Sequence, residues 1–204
     1  TDGWFKKNIA TIAGSVTDGT SKVLNVSYLV SNERYYIDGV ANHSQLTDQS
    51  FENTLGLTNN NYSRKHTFAE GKNYVYIKAE DNAGNVSYFG QNGDVTCQID
   101  TTVPGIAFET PSNGAMISKY VAVAYTIKVS DEGSGFADGA KATVKVVDNS
   151  TTRDTAQVAI TDGTISGTIP TANITSDTPK IVVSIADKAG NTTESALSLA
   201  MDKT

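Results

Sequence analysis

The sequence is poor in the residues that carry covalent and acid–base chemistry. It holds one cysteine, Cys97, and two histidines, His43 and His66, in 204 residues. A single cysteine excludes an internal disulfide and any multi-cysteine zinc site. The motifs G-x-S-x-G, H-E-x-x-H and the Walker loop are missing, so the chain is expected not to be an enzyme. Lysine and arginine number 16 against 22 acidic residues, a formal net charge of −6. A basic footprint for nucleic acid is therefore absent. No apolar run reaches the roughly 18–20 residues that cross a bilayer. No charged–apolar–small segment opens the chain, which leaves an intracellular protein or an interior piece of a secreted one. Charged residues make up only 19%, below the roughly 25% usual for soluble domains.

What is plentiful is β-branched, hydroxyl-bearing and turn-forming residues, which half-buried strands and polar turns consume. Apolar residues recur with period two. Ala10, Ile12, Gly14 and Val16 share a parity, as do Leu24, Val26, Tyr28 and Val30, and Val75, Ile77 and Ala79. Val95, Cys97 and Ile99 follow in the first half. In the second half the same spacing groups Val123, Tyr125, Ile127 and Val129, then Ala142, Val144 and Val146. It returns in Ile181, Val183 and Ile185 and in Leu197, Leu199 and Met201. This spacing predicts strands with one buried face, and short strands separated by turn clusters predict an all-β chain.

The two halves repeat. Asp81-Asn82-Ala83-Gly84-Asn85 matches Asp187-Lys188-Ala189-Gly190-Asn191, an offset of 187 − 81 = 106. Shifted by 106, Val75, Ile77 and Ala79 land on Ile181, Val183 and Ile185. Shifted by 113, Ala10 to Val16 land on Val123 to Val129. A one-residue slip would expose every core side chain, so the matched parity identifies a duplication. The expected architecture is two tandem antiparallel two-sheet β-sandwich domains, 1–103 with a middle insertion and 104–204, set end to end.

Several motifs resemble those of bacterial immunoglobulin-like repeats. They are Asp2-Gly3-Trp4-Phe5 at the start, Ser130-Asp131-Glu132-Gly133-Ser134-Gly135-Phe136, the corners Ala79-Glu80-Asp81-Asn82-Ala83-Gly84-Asn85 and Ala186-Asp187-Lys188-Ala189-Gly190-Asn191, which share D-x-A-G-N, and the junction Ile99-Asp100-Thr101-Thr102-Val103-Pro104. The resemblance spans the chain, although the first half has Asp18-Gly19-Thr20-Ser21 where the Gly-Ser-Gly turn would stand. It implies a spacer or adhesive module of an extracellular bacterial surface protein, with both ends interior to a longer array of neighbouring repeats. The alternative it implies is an accessory, carbohydrate-binding part of a secreted polysaccharide-degrading enzyme.

Candidate site residues fall into two sets. The first is aromatic: twelve of the sixteen aromatic residues lie in the first half. Tyr74 and Tyr76 have the parity opposite to Val75 and Ile77, and Tyr35, Tyr36 and Tyr62 lie in or beside the insertion from Asn32 to His66. Flat rings with a polar tip suit sugars and protein partners, so these five are the expected ligand-binding residues, for a host or cell-surface glycan or protein. Cross-strand packing of the tyrosines is the competing reading. The second set is acidic: Asp81, Asp100, Asp131 and Asp187. These serve either as turn acceptors beside Gly84 and Gly190 or as oxygen ligands of Ca²⁺; the resemblance adds weight to Ca²⁺. His43 and His66 are expected to be solvated loop residues, and Cys97 a buried, inert thiol.

Overall fold

A computed structural model describes residues 3–37, 43–51, 53–91, 93 and 95–203. Asp2, which belongs to the opening motif, lies outside them. The chain divides into two compact units, Thr1–Thr101 and Thr102–Thr204. Among the described residues the only regular structure besides strand is one 3-10 turn, Leu46–Asp48.

The first unit contains β1 (Trp4–Phe5), β2 (Ile9–Ser15), β3 (Val23–Ser31), β4 (Asn53–Thr54), β5 (Asn61–Thr67), β6 (Gly71–Asp81), β7 (Val86–Phe89) and β8 (Thr96–Ile99). One sheet runs β1-β8-β6-β3-β4, with β7 also paired to β6, and the other is β2-β5. The second unit contains β9 (Gly105–Thr110), β10 (Met116–Ser118), β11 (Val123–Ser130), β12 (Lys141–Asp148), β13 (Thr151–Ala159), β14 (Thr164–Ile169), β15 (Lys180–Ala186), β16 (Thr192–Ser198) and β17 (Ala200–Asp202). Its sheets are β14-β11-β9 and β13-β12-β15-β16, with β10 paired to β17.

The plans correspond. β6 against β3 repeats as β15 against β12, and β5 against β2 repeats as β14 against β11. A short parallel pair closes each unit, β1 with β8 and β10 with β17. In the second unit Tyr125, Ile127 and Val129 of β11 meet Ala142, Val144 and Val146 of β12 and Ile181, Val183 and Ile185 of β15 in one core. In the first unit Ile12, Val26, Tyr28, Val75, Ile77 and Ile99 form the corresponding core. Residues from both sheets thus close on a shared interior, a two-sheet β-sandwich in each unit. Each fully buried aliphatic side chain, such as Ile181 or Val183, contributes roughly 1.5–3 kcal/mol.

One parity departs from expectation. Leu24 is 59% exposed, while Val23 packs on the core. The register of β3 on β6 shifts between Val23 and Asn25, and such a bulge sends the next side chain to the opposite face. Turn chemistry follows the sequence elsewhere. Asn59-Asn60 and Asn149-Ser150 take positive φ at both positions, which matches the twist of a two-residue hairpin loop.

Each unit also stacks a tyrosine across a strand pair onto a glycine. Gly14 lies directly opposite Tyr62, and Gly167 directly opposite Tyr125. A Cβ at Gly14 would stand 2.6 Å from Tyr62 Cζ, and one at Gly167 2.8 Å from Tyr125 Cζ. Substitutions Gly14→Ala and Gly167→Ala are therefore expected to destabilise their units by about 1–3 kcal/mol through overpacking. Gly56→Ala, where a Cβ meets nothing within 4 Å, should stay within about 0.5 kcal/mol. Urea titrations of the three variants check this ordering.

Candidate functional site

The tyrosines expected to form a surface are largely consumed by a second apolar cluster. Tyr35, Leu46 and Phe51, described residues of the insertion, pack over the outer face of β3 and β6. Tyr35, Leu46 and Tyr76 are buried together there, with Leu29, Phe51, Tyr74 and Tyr88 packed around them. Tyr76 is 0% exposed. Its hydroxyl accepts the Tyr35 N–H at 2.7 Å and lies 3.4 Å from Glu33 O, and burial raises its pKa. Tyr35 and Tyr76 are thus packing residues, and the ligand-surface expectation is corrected for both. The parity that turned Tyr76 off the main core was right, but the insertion covers that face. Tyr62 is half-buried against the main core beside Gly14.

Tyr36 and Tyr74 remain half-open. The Tyr36 ring stacks on His43 at 4.4 Å, with the Arg34 guanidinium 4.8 Å from its centroid. Lys72 sits 5.2 Å from the Tyr74 centroid. Such cation–ring contacts contribute about 0.5–1 kcal/mol when exposed. The structure therefore brings Tyr36 together with Arg34 and His43, a platform that the sequence did not single out.

His43 is exposed, as expected of a loop histidine. His66 is not: it lies in β5, half-buried, with Nδ1 3.2 Å from the Tyr28 hydroxyl and its ring edge-on to Tyr28 and Phe68. Burial lowers its pKa. Cys97 is half-buried against the core, and burial raises its thiol pKa.

The acidic residues act on turns. Asp81 Oδ1 accepts the Ala83 and Asn85 N–H groups at 2.8 Å each, and Oδ2 accepts Asn85 Nδ2 at 2.7 Å. Gly84 between them takes φ +84°. Asp187 accepts the Asn191 N–H at 2.9 Å and Asn191 Nδ2 at 2.8 Å around Gly190 at φ +87°. Asp131 Oδ2 accepts the Gly135 N–H at 2.6 Å. Asp131 and Asp187 bring carboxylate oxygens within 4.8 Å of each other, two of the six to eight oxygens that Ca²⁺ takes. Asp81 belongs to the first unit, as does Asp100, which is buried just after β8 with its N–H on Phe5 O.

Asp148 was not singled out by the sequence reading, although it extends the inward parity of Ala142, Val144 and Val146. It is 0% exposed. Its carboxylate accepts Ser176 N–H at 2.8 Å, Thr175 N–H at 2.9 Å, Thr175 Oγ1 at 2.7 Å and Arg153 Nε at 3.1 Å. These donors tie the end of β12 to β13 and to the loop before β15.

The first unit also carries an open cleft of about 560 Å³ between β2 and β7, lined by Ala13, Ser15, Tyr62, Ile77, Ser87 and Phe89 among others. Asp18 and Asp81 sit at it as well.

No family model matches the chain, and no curated protein matches its sequence. Solved structures do. The fibronectin(III)-like modules of Clostridium thermocellum CbhA align at 12% identity over 98% of this chain and 90% of theirs, TM-score 0.40. A tetra-tandem repeat from the extending region of a large adhesion protein aligns at 16% identity over 98% of this chain and 47% of its own, TM-score 0.42. The endo-β-1,4-mannanase of Thermotoga petrophila aligns at 17% identity over 56% of this chain and 22% of its own, TM-score 0.41. At these values the likeness is one of general architecture.

Two predictions follow from the packing. Tyr76→Ala should cost the first unit about 3–5 kcal/mol, the usual range for a buried aromatic, whereas Tyr36→Ala should cost less than about 1 kcal/mol; thermal melts compare them. The second concerns acid. Donation from Ser176 and Thr175 holds the Asp148 carboxyl well below the usual carboxylate range, and the Asn85 side chain leads the donors that bring Asp81 down to about 2. Both pKa values are depressed by folding, so their stabilisation is full above the unfolded value of about 3.9 and is lost as pH falls through the folded value. Urea midpoints should fall between about pH 4 and pH 2, and Asp148→Asn should flatten that fall for the second unit.

Proposed function

We propose that the chain is a non-enzymatic repeat module of an extracellular bacterial surface protein, in the manner of the bacterial immunoglobulin-like repeats its motifs resemble. The observation that carries this reading is that one sandwich plan is built twice and decorated once. The second unit packs Tyr125, Phe108 and Phe136 on its core and uses Asp148 and Asp187 on its turns, leaving Tyr120 exposed beside Lys119. The first adds an outer aromatic layer and the Tyr36 platform. The second unit acts as a spacer, and the first presents the surface. Neighbouring repeats of the same chain are its structural partners. Ca²⁺ held by the Asp131–Asp187 pair is a stiffening device compatible with this role.

The second reading is an accessory carbohydrate-binding module of a polysaccharide-degrading enzyme. A half-open tyrosine beside a guanidinium and an imidazole supports it, because a flat ring with adjacent donors suits a sugar face.

Both readings make the first unit the ligand-bearing one. A glycan array probed with the chain should register binding that Tyr36→Ala weakens by about 2 kcal/mol, the scale of an interface hot spot. Hydrolase assays on the same glycans should be blank. Binding that survives Tyr36→Ala, or is carried by residues 104–204 alone, contradicts the assignment. Tyr36 is the informative position because Tyr76→Ala would lose binding merely by loosening the fold.

A further inference from the structure

The two units treat the outer face of their larger sheet in opposite ways. In the first, Leu29 lies opposite Tyr76 and Ser31 opposite Tyr74, and Leu29, Tyr74 and Tyr76 all pack in the aromatic cluster. The offset of 106 carries Tyr74 to Lys180 and Tyr76 to Val182. Lys145 lies opposite Val182 and Val147 opposite Lys180, so Lys145 stands where the first unit has Leu29. The duplicate thus sets ammonium groups on a face that the first unit makes apolar.

Alternation fixes where they lie. Ala142, Val144 and Val146 of β12 and Ile181, Val183 and Ile185 of β15 enter the core, so Lys141, Lys145 and Lys180 take the opposite face. Lys141 and Lys145 are four residues apart on one strand, about 13 Å. Lys180 is one strand over and two residues further on, about 8 Å from Lys145. Hydroxyls stand between and beside them: Thr143 pairs with Ser184, Thr155 with Lys145 and Ser198 with Lys180. Among the described residues, none of the three ammonium groups is in an ion pair or a hydrogen bond with the chain. Of the acids in these four strands, Asp148 is buried, Asp154 lies opposite Val146 on the inward parity, and Glu194 alone shares the face, opposite Ser184.

The chemistry of the face narrows what it takes. Its strands β12, β13, β15 and β16 contain no aromatic residue, so neither a sugar ring nor a base has a surface to stack on. The planar fork that grips a carboxylate is arginine's, and Arg153 is engaged with Asp148 and Thr175. Lysine meets a phosphate as a point charge, and a neighbouring hydroxyl can donate to a second phosphate oxygen. Cations spaced this widely, with hydroxyls between them, match phosphates separated by a neutral polyol. We propose that the outer face of the β13-β12-β15-β16 sheet binds a linear polyol phosphodiester polymer, laid along Lys141, Lys145 and Lys180. The net charge of −6 opposes long-range attraction, so the contact is short-range and fades with salt. The face shares no residue with the Tyr36 platform and goes beyond the role proposed above, giving the spacer unit a contact of its own.

The test is titration of the full chain with poly(glycerol phosphate), read by calorimetry and amide chemical shifts. Saturable binding is expected, with shift changes concentrated at residues 141–145 and 180–184 and an affinity that falls about tenfold between roughly 50 and 200 mM salt. Lys145→Glu and Lys180→Glu should each bind at least tenfold more weakly. Lys128→Glu makes the same change of charge on the other sheet, where Lys128 Nζ donates to Thr164 Oγ1, and should bind as the parent does. Lys180 is exposed, so its variant carries the test if Lys145→Glu, with a half-buried stem, fails to fold. Absence of saturable binding, undiminished binding by Lys180→Glu, an equal loss in Lys128→Glu, or shift changes elsewhere in the chain overturns the proposal. So does equal or tighter binding of an oligogalacturonate or a single-stranded DNA of matched charge.

Discussion

Each unit depends on the register between its two central strands, β6 on β3 and β15 on β12. A slip of one residue would turn Ile181, Val183 and Ile185 out to solvent. In the first unit the constraint is doubled, because β6 is buried on both faces: Val75 and Ile77 enter the sandwich core, and Tyr76 enters the aromatic cluster beneath the insertion. The corner that follows each of these strands preserves the register into the next. Asp81 and Asp187 bond the backbone N–H and side-chain amide of the asparagine four residues on. Strand β7 then re-enters against β6, and β16 against β15, without a free residue of slack.

On this shared frame the units are finished differently. The second closes its β11 edge with β9 and locks the β12 end with the buried Asp148. The first has an insertion between β3 and β5, and it folds that insertion into an apolar layer of its own. An outer layer held by Tyr76 fixes the approach of Tyr35 and Tyr36, so the exposed platform is positioned by buried residues rather than by loop conformation alone. The tyrosine-over-glycine pairs show the same economy of plan. Both units use one between the corresponding strands, with tyrosine on β5 in the first and on β11 in the second.

Much of this was legible from the residues. The buried parities of β6, β11, β12 and β15 follow from period-two spacing alone, and so does the duplication. The turn role of Asp81 and Asp187 follows from a carboxylate placed ahead of Ala-Gly-Asn. The β3 bulge was not legible, since Leu24 continues the apolar alternation and nothing local marks the register shift. Nor was the position of His66: its polar neighbours Lys65 and Thr67 read as loop, but in a strand they occupy the face opposite to the histidine.

By itself, the sequence determined which side chains share a strand face, because alternation is a property of the extended backbone and needs no partner. It also determined where the chain turns, because Asp, Asn and Gly act within a few residues. Only the tertiary structure decided what covers each face. Opposite parity placed Tyr74 and Tyr76 off the main core, but whether that meant solvent or a second core depended on where residues more than twenty positions away would fold.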